Sequence, residues 1–186
     1  MNEYLLPPEE RAWPDLLENW NWLLPDAFGV WLVNGFGDLF LELESGEIAL
    51  LDINAGKLSV LADSREAFID RIAESGNAAA WLYMPLVDAL RAGGVIPAHG
   101  QCYAFSRPPL LGGEYAPDNV RLTDFEAHLA FTGDFAEQLR DVKDGDEVAL
   151  KVLGGDFRGC EKPDCCSKGP NPTPGSCSVP GIKPAC

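Results

Sequence analysis

The stretch from Gly29 to Asp52 constrains the fold of this chain most strongly, because two turn signals separate three apolar runs within it. Asn34-Gly35 lies between the first two runs, and Ser45-Gly46 lies between the second and the third. Asn-Gly between apolar runs is the strongest short-range signal of a β-hairpin, because its turn needs positive φ at both central residues. The stretch therefore predicts an antiparallel meander that turns at both places.

The second apolar run alternates in the way that a half-buried strand does. Its leucines at 39, 41 and 43 point one way, and Phe40, Glu42 and Glu44 point the other way. This alternation predicts one buried face and one wet, partly acidic face for the sheet.

Capping and breaking signals divide the rest of the chain into further elements. Asp63 with Glu66, and Thr123 with Glu126, each resemble the start of a helix, and Pro85 predicts a boundary or kink near Met84. The predicted helices cover about residues 13–24, 63–75, 78–92 and 123–139, and the further predicted strands are 47–53, 57–61, 101–106 and 147–153. We predict a single α+β domain over residues 1–153, an antiparallel sheet with three to four helices packed on one face.

From residue 154 the composition changes sharply. The last 33 residues contain six prolines, six glycines and five of the six cysteines, without apolar periodicity, so residues 154–186 are predicted to form an irregular tail. In a reducing compartment such a cluster is either free thiols or a metal site. The spacing lacks paired C-x2-C knuckles, so we predict no metal and no cofactor, and keep as zinc candidates Cys160, Cys165, Cys166, Cys177 and Cys186.

The charge balance restricts the class of partner. The chain has 14 basic and 29 acidic residues, a formal charge of −15. Direct binding to nucleic acid is not expected, because it needs clustered Lys and Arg, whereas a cationic protein partner suits this acidity. No apolar run approaches a membrane span, and the first residues lack a basic region and a hydrophobic signal core, which predicts the cytoplasm.

Few residues suggest catalytic chemistry. His99 precedes Cys102 by three positions, so a cysteine-dependent enzyme is one hypothesis, although such a pair is usually structural. His128 is predicted to be a helix-face or partly buried residue, and Asp38 is predicted to fix a turn by accepting backbone N–H bonds. The glycine pairs lack the third glycine or the lysine of a phosphate loop.

Several motifs in order resemble one protein family. Phe36-Gly37-Asp38-Leu39-Phe40 is followed by Leu51-Asp52 and Gly56, then by Gly100-Gln101-Cys102-Tyr103-Ala104-Phe105 and Leu110-Leu111-Gly112-Gly113. Over about residues 25–140 this pattern resembles the C-terminal domain of type VI secretion immunity proteins of the Tdi kind, and more distantly the SMI1/KNR4-like immunity superfamily. The cysteine-rich tail is not part of that pattern.

The resemblance implies a protein that binds and neutralises a cognate secreted toxin, often a nuclease, without being an enzyme itself. A basic nuclease domain would be the partner, and acidic and aromatic side chains would contact it. The contact residues that we predict are Glu42, Glu44 and Glu47 on the wet face of the meander, and Glu114, Tyr115 and Asp118 in the Leu-Gly-Gly loop. The alternative is a regulatory or scaffold module of the SMI1/KNR4 type.

Overall fold

Four consecutive strands form the predicted antiparallel meander, in the order β1-β2-β3-β4. The computed structural model describes residues 3–7 and 9–142. The strands are β1 (Phe28–Val33), β2 (Leu39–Leu43), β3 (Ile48–Asp52) and β4 (Lys57–Ala62). The described residues also contain a two-stranded sheet and five α-helices, which confirms the α+β class. Within that range, no helix has the length and apolar character needed to cross a lipid bilayer.

The first hairpin differs from the predicted Asn-Gly turn. Five residues separate β1 from β2, and the positive φ of +88° is at Gly37, whereas Gly35 does not have a positive φ. The buried Asn34 side chain organises this loop, because its Oδ1 accepts from the backbone N–H groups of Phe36 (2.9 Å) and Asp38 (3.0 Å). The turn prediction was right in place and wrong in type, because a buried side chain sets the loop conformation.

Five helices and several single 3-10 turns surround the sheet. The helices are α1 (Trp13–Leu16), α2 (Arg65–Ala73), α3 (Asn77–Trp81), α4 (Met84–Ala92) and α5 (Phe125–Leu139). The N-terminal helix is much shorter than predicted. The two capping residues are each one position later than predicted, since Ser64 caps α2 and Asp124 caps α5 by accepting the N–H of Ala67 and Ala127 respectively.

Apolar side chains cover both faces of the sheet, so the single covered face that we predicted is wrong. Leu39 and Leu41 pack in one cluster with Trp20 and with Phe125 of α5. Phe40, which alternates with them along β2, is fully buried in a second cluster, which contains Phe68 of α2. Neighbouring residues of a strand point to opposite faces, so α5 and α2 cover opposite faces. The predicted wet face is therefore largely a second core.

A strand that the sequence analysis missed completes the second sheet. Strand β5 (Gln101–Phe105) was predicted, and it pairs antiparallel with β6 (Val120–Asp124). The N–H of Tyr103 donates to the carbonyl oxygen of Gly35 at 2.9 Å, which ties this sheet to the first hairpin loop. The strand over 147–153, the boundary at 153/154 and the tail cysteines all lie outside the described residues.

Candidate functional site

The two sets of predicted contact residues lie at opposite ends of the meander. Glu44 and Glu47 flank the turn between β2 and β3, whereas the Tyr115 ring contacts Phe105, which in turn stacks on Phe36 in the loop before β2. Strand β2 separates these ends by roughly 20 Å at about 3.3 Å per residue. The structure therefore offers two separate candidate surfaces.

The surface around Glu42 is less open than the sequence predicted. Glu42 Oε2 lies 2.5 Å from Arg65 Nη2 of α2, and the Arg65 guanidinium lies over the Trp31 ring, 4.9 Å from its centroid. Glu47 Oε2 accepts from the Ser45 hydroxyl at 2.7 Å and is half-buried. Of the three glutamates on this side, only Glu44 is exposed.

The loop between β5 and β6 presents the other three residues on a defined backbone. The Asn119 amide Nδ2 donates to the carbonyl oxygens of Arg107 (3.0 Å) and Glu114 (2.8 Å), and its Oδ1 accepts from the Arg107 N–H at 2.9 Å. A Cβ on Gly113 would lie 1.8 Å from the Arg107 carbonyl oxygen, so the second glycine of the Leu-Gly-Gly motif is sterically required. Hydrogen bonds between the loop's own polar groups therefore fix its conformation.

Tyr115 is the exposed aromatic of this loop, and its ring is held in place. It is 54% exposed, yet its ring stacks on Tyr83 with centroids 6.0 Å apart and planes 13° apart. It also meets the Phe105 ring edge-on at 5.1 Å. A ring that is already ordered loses little conformational entropy when a partner covers it.

An open groove of about 430 Å³ runs beside this stack, and we call it the tyrosine groove. Its lining includes Tyr83, Pro85 and Ala89, and also Tyr115 and Pro117 from the loop between β5 and β6. Tyr83 lies between α3 and α4, and its φ of 51° is the one positive φ among the described non-glycine residues. Sequence analysis missed Tyr83, although the break that Pro85 predicts at this point marked its place.

The carboxyl groups of Asp38 and Asp52 lie close to the stacked Tyr83 and Tyr115, and Asp38 is fully buried. Asp38 Oδ1 accepts from the Ile53 N–H (3.0 Å) and from the Asn54 amide (3.1 Å), and its Oδ2 accepts from the Asn34 amide at 2.9 Å. Burial, and the negative charge of Asp52, raise the pKa of Asp38 to about 8, and the hydrogen bonds oppose this shift. Asp38 thus fixes a turn, as predicted.

The same two carboxylates affect the groove. Burial is the main cause of the raised pKa values of Tyr83 and Tyr115, and the charges of Asp38 and Asp52 raise both further. Asp52 itself accepts from the N–H groups of Asn54 (3.0 Å) and Ala55 (2.8 Å). Because its pKa is raised to about 8, Asp38 is mostly protonated near pH 7 and adds little negative charge to the groove.

The catalytic hypothesis for Cys102 and His99 does not fit the structure. The Cys102 side chain is fully buried, and burial raises the pKa of its thiol to about 12. A nucleophilic cysteine needs the opposite, an accessible thiolate with a lowered pKa. The His99 side chain is 80% exposed and lies 3.1 Å from Glu9. Among the described residues, no three His, Cys, Asp or Glu side chains form a metal-binding group, and the tail cysteines lie outside them.

His128 lies on α5 and is buried, which agrees with the second of the two predicted placements. Its Nε2 has no hydrogen-bond partner among the described residues, and burial, followed by the charge of Arg121, lowers the pKa of the imidazole to about 4. This side chain is therefore a neutral core residue near pH 7.

Comparison with known proteins gives a family match and weak similarity to solved structures. No curated protein matches this chain. Among solved structures, the crystal structure of Atu4351 from Agrobacterium tumefaciens is 18% identical, with a TM-score of 0.42 over 57% of this chain and 54% of that one, so the match spans about half of that protein. The resemblance stated from the sequence is confirmed over residues 62–136, where the chain matches the family described as T6SS immunity protein Tdi1, C-terminal.

Proposed function

We propose that this protein is a type VI immunity protein that neutralises a cognate secreted toxin by stoichiometric binding and catalyses no reaction itself. The family match over residues 62–136 is the observation that carries this proposal. That segment runs from the end of β4 to α5, and it contains both Tyr83, which lies between α3 and α4, and the loop with Tyr115.

The proposed toxin is a nuclease with a basic surface. Nucleases contact phosphate groups through Lys and Arg, and a protein with a formal charge of −15 is attracted to such a surface. Complementary charge speeds the encounter, and aromatic anchors such as Tyr115 supply affinity once the charges have met. An acidic inhibitor of this kind competes with nucleic acid for the toxin and binds no nucleic acid itself. We place the encounter in the cytoplasm, where nucleic acid is the toxin's target.

The test begins with the open reading frame beside this gene. Its product is expressed with this protein, purified as a complex by pull-down, and assayed for nuclease activity after separation. A fixed amount of toxin is then titrated with the protein at equilibrium. We expect activity to fall linearly to zero at one molar equivalent and to return when the complex is dissociated. Raised salt should slow association, because it screens the charges.

Two outcomes would contradict the proposal. Inactivation of the toxin by far less than one equivalent, increasing with time, would indicate an enzyme that modifies the toxin. A product that neither binds the protein nor is toxic would favour the regulatory or scaffold module. A mixed-charge protein of the same size with a formal charge near zero is the control for nonspecific binding.

A further inference from the structure

We propose that the tyrosine groove receives an arginine or lysine side chain from a basic segment of the toxin, held against the Tyr83–Tyr115 stack. This inference rests on the proposed function and adds the part of the surface that makes contact and the chemistry that it recognises.

The groove has apolar walls and one ordered, exposed aromatic ring. Its walls are apolar side chains from α4 and the loop, and its one large exposed ring, Tyr115, is fixed against Tyr83 and Phe105. Tyrosine that is ordered before binding is typical of interface hot spots. A cation over a tyrosine face within about 6 Å is attracted by the negative face of the ring, and more strongly when the contact is desolvated.

Exposed acidic residues lie next to the groove-lining residues of the loop between β5 and β6. Glu114 precedes the lining residue Tyr115 and Asp118 follows the lining residue Pro117, and both acidic side chains are exposed. The Asp88 carboxylate, beside Ala89, accepts from the Tyr4 hydroxyl at 2.8 Å. The loop's own cation, Arg107, donates its Nε–H to the Leu111 carbonyl oxygen at 2.9 Å. The rim therefore favours a cationic occupant.

The same charges argue against other occupants. A second copy of this chain would bring an acidic rim against another body with a formal charge of −15, and like charges placed together oppose association. Nucleic acid is disfavoured for the same reason. A basic segment of a nuclease meets both requirements, since its Arg or Lys side chain has an apolar stem for the walls and a charge for the rim.

The test compares variants at the two ends of the meander for binding to the toxin from the neighbouring gene. The groove variants are Tyr115→Ala, Tyr115→Phe and the pair Glu114→Gln with Asp118→Asn. The matched control is the pair Glu44→Gln with Glu47→Gln, which removes the same charge roughly 20 Å away. Circular dichroism and thermal melting first establish that every variant is folded, because Glu47 is half-buried whereas the other substituted side chains are exposed.

We expect Tyr115→Ala to raise Kd at least about 10-fold and Tyr115→Phe to stay within about 3-fold of the wild type, because the ring face makes the contact. The acidic groove pair should raise Kd and flatten its dependence on salt, whereas the control pair should change neither. A double-mutant cycle between Tyr115→Ala and Ala substitutions of the toxin's Arg and Lys residues then identifies the bound side chain, with an expected coupling of at least about 5-fold.

Several results would overturn the inference. If the groove variants bind like the wild type while the control pair loses affinity, the contact lies at the other end of the meander and toxin neutralisation still stands. If Tyr115→Ala instead dissociates a dimer seen by light scattering without toxin, a second copy occupies the groove. If the wild-type protein does not bind the toxin at all, the proposed function itself fails.

Discussion

Replacing Gly133 by alanine tests how the N-terminal segment is attached to the core. Gly133 lies in the middle of α5, where glycine normally destabilises a helix by about 1 kcal/mol relative to alanine. A Cβ at this position would lie 2.8 Å from the Asn19 carbonyl oxygen and 2.9 Å from both Asn19 Cβ and Trp20 Nε1. The first of these atoms belongs to the backbone, so it cannot rotate away.

Two hydrogen bonds hold that backbone against the helix. Trp20 is fully buried and its Nε1–H donates to the Leu129 carbonyl oxygen at 2.9 Å, and the Asn19 amide donates to the Ala130 carbonyl oxygen at 2.9 Å. A methyl group would push the segment outward and weaken both bonds together with the packing of Trp20. Overpacking of this kind costs about 1–3 kcal/mol, which exceeds the gain in helix propensity once either hydrogen bond also lengthens.

We therefore expect Gly133→Ala to lower the free energy of unfolding by about 1–3 kcal/mol and Tm by roughly 3–10 °C. Urea and thermal unfolding followed by far-ultraviolet circular dichroism measure both quantities. Gly29→Ala is the control, because no atom lies within 4 Å of a Cβ there and φ is not positive, so it should be near neutral. A Gly133→Ala variant as stable as the wild type, or more stable, would refute the close approach.

Three further predictions concern buried titratable groups. The pKa of Asp38 is raised above its unfolded value, so its stabilising contribution is fully present below about pH 4 and is lost as the pH rises through about 8. Urea titrations from pH 5 to 9 should show the wild type losing stability relative to Asp38→Asn, and a constant difference would contradict this. The pKa of His128 is lowered to about 4, so its contribution is present above about pH 6.5 and lost as the pH falls toward 4. His128→Leu should reduce that acid sensitivity, whereas replacement of the exposed His99 by glutamine should leave it unchanged. Peptide mass spectrometry after N-ethylmaleimide treatment should find Cys102 unmodified in the native protein and modified in urea, because its buried thiol has a raised pKa. Modification at the rate of a free thiol would show that this part of the core is open.

Local patterns in the sequence were sufficient for most elements of the fold. Ser45-Gly46 and the turn at residues 54–56 separate strands of five to six residues where the apolar runs predicted them. Pro85 marked the break between α3 and α4, because proline within the predicted helix favours a boundary just before it. The motifs at residues 100–105 and 110–113 also lie in the segment that matches the immunity family. These signals act over a few residues, so they can be read without knowing what packs against them.

Packing between distant segments decided the rest. Phe40 alternates with leucines as a solvent-facing residue would, yet α2 buries it, and Arg65 from the same helix neutralises the charge of Glu42. Strand β6 was missed because a short, half-exposed strand shows little periodicity without its partner β5.

Tyr83 and Tyr115 are separated by about 30 residues and meet only because α4 and the β5–β6 loop lie side by side. The sequence by itself determined the elements and the acidic charge, because turn propensity, alternation and ionisation are local properties. Which faces are covered, and which side chains form a surface together, depends on contacts between residues far apart in the chain, so only the tertiary structure decided them.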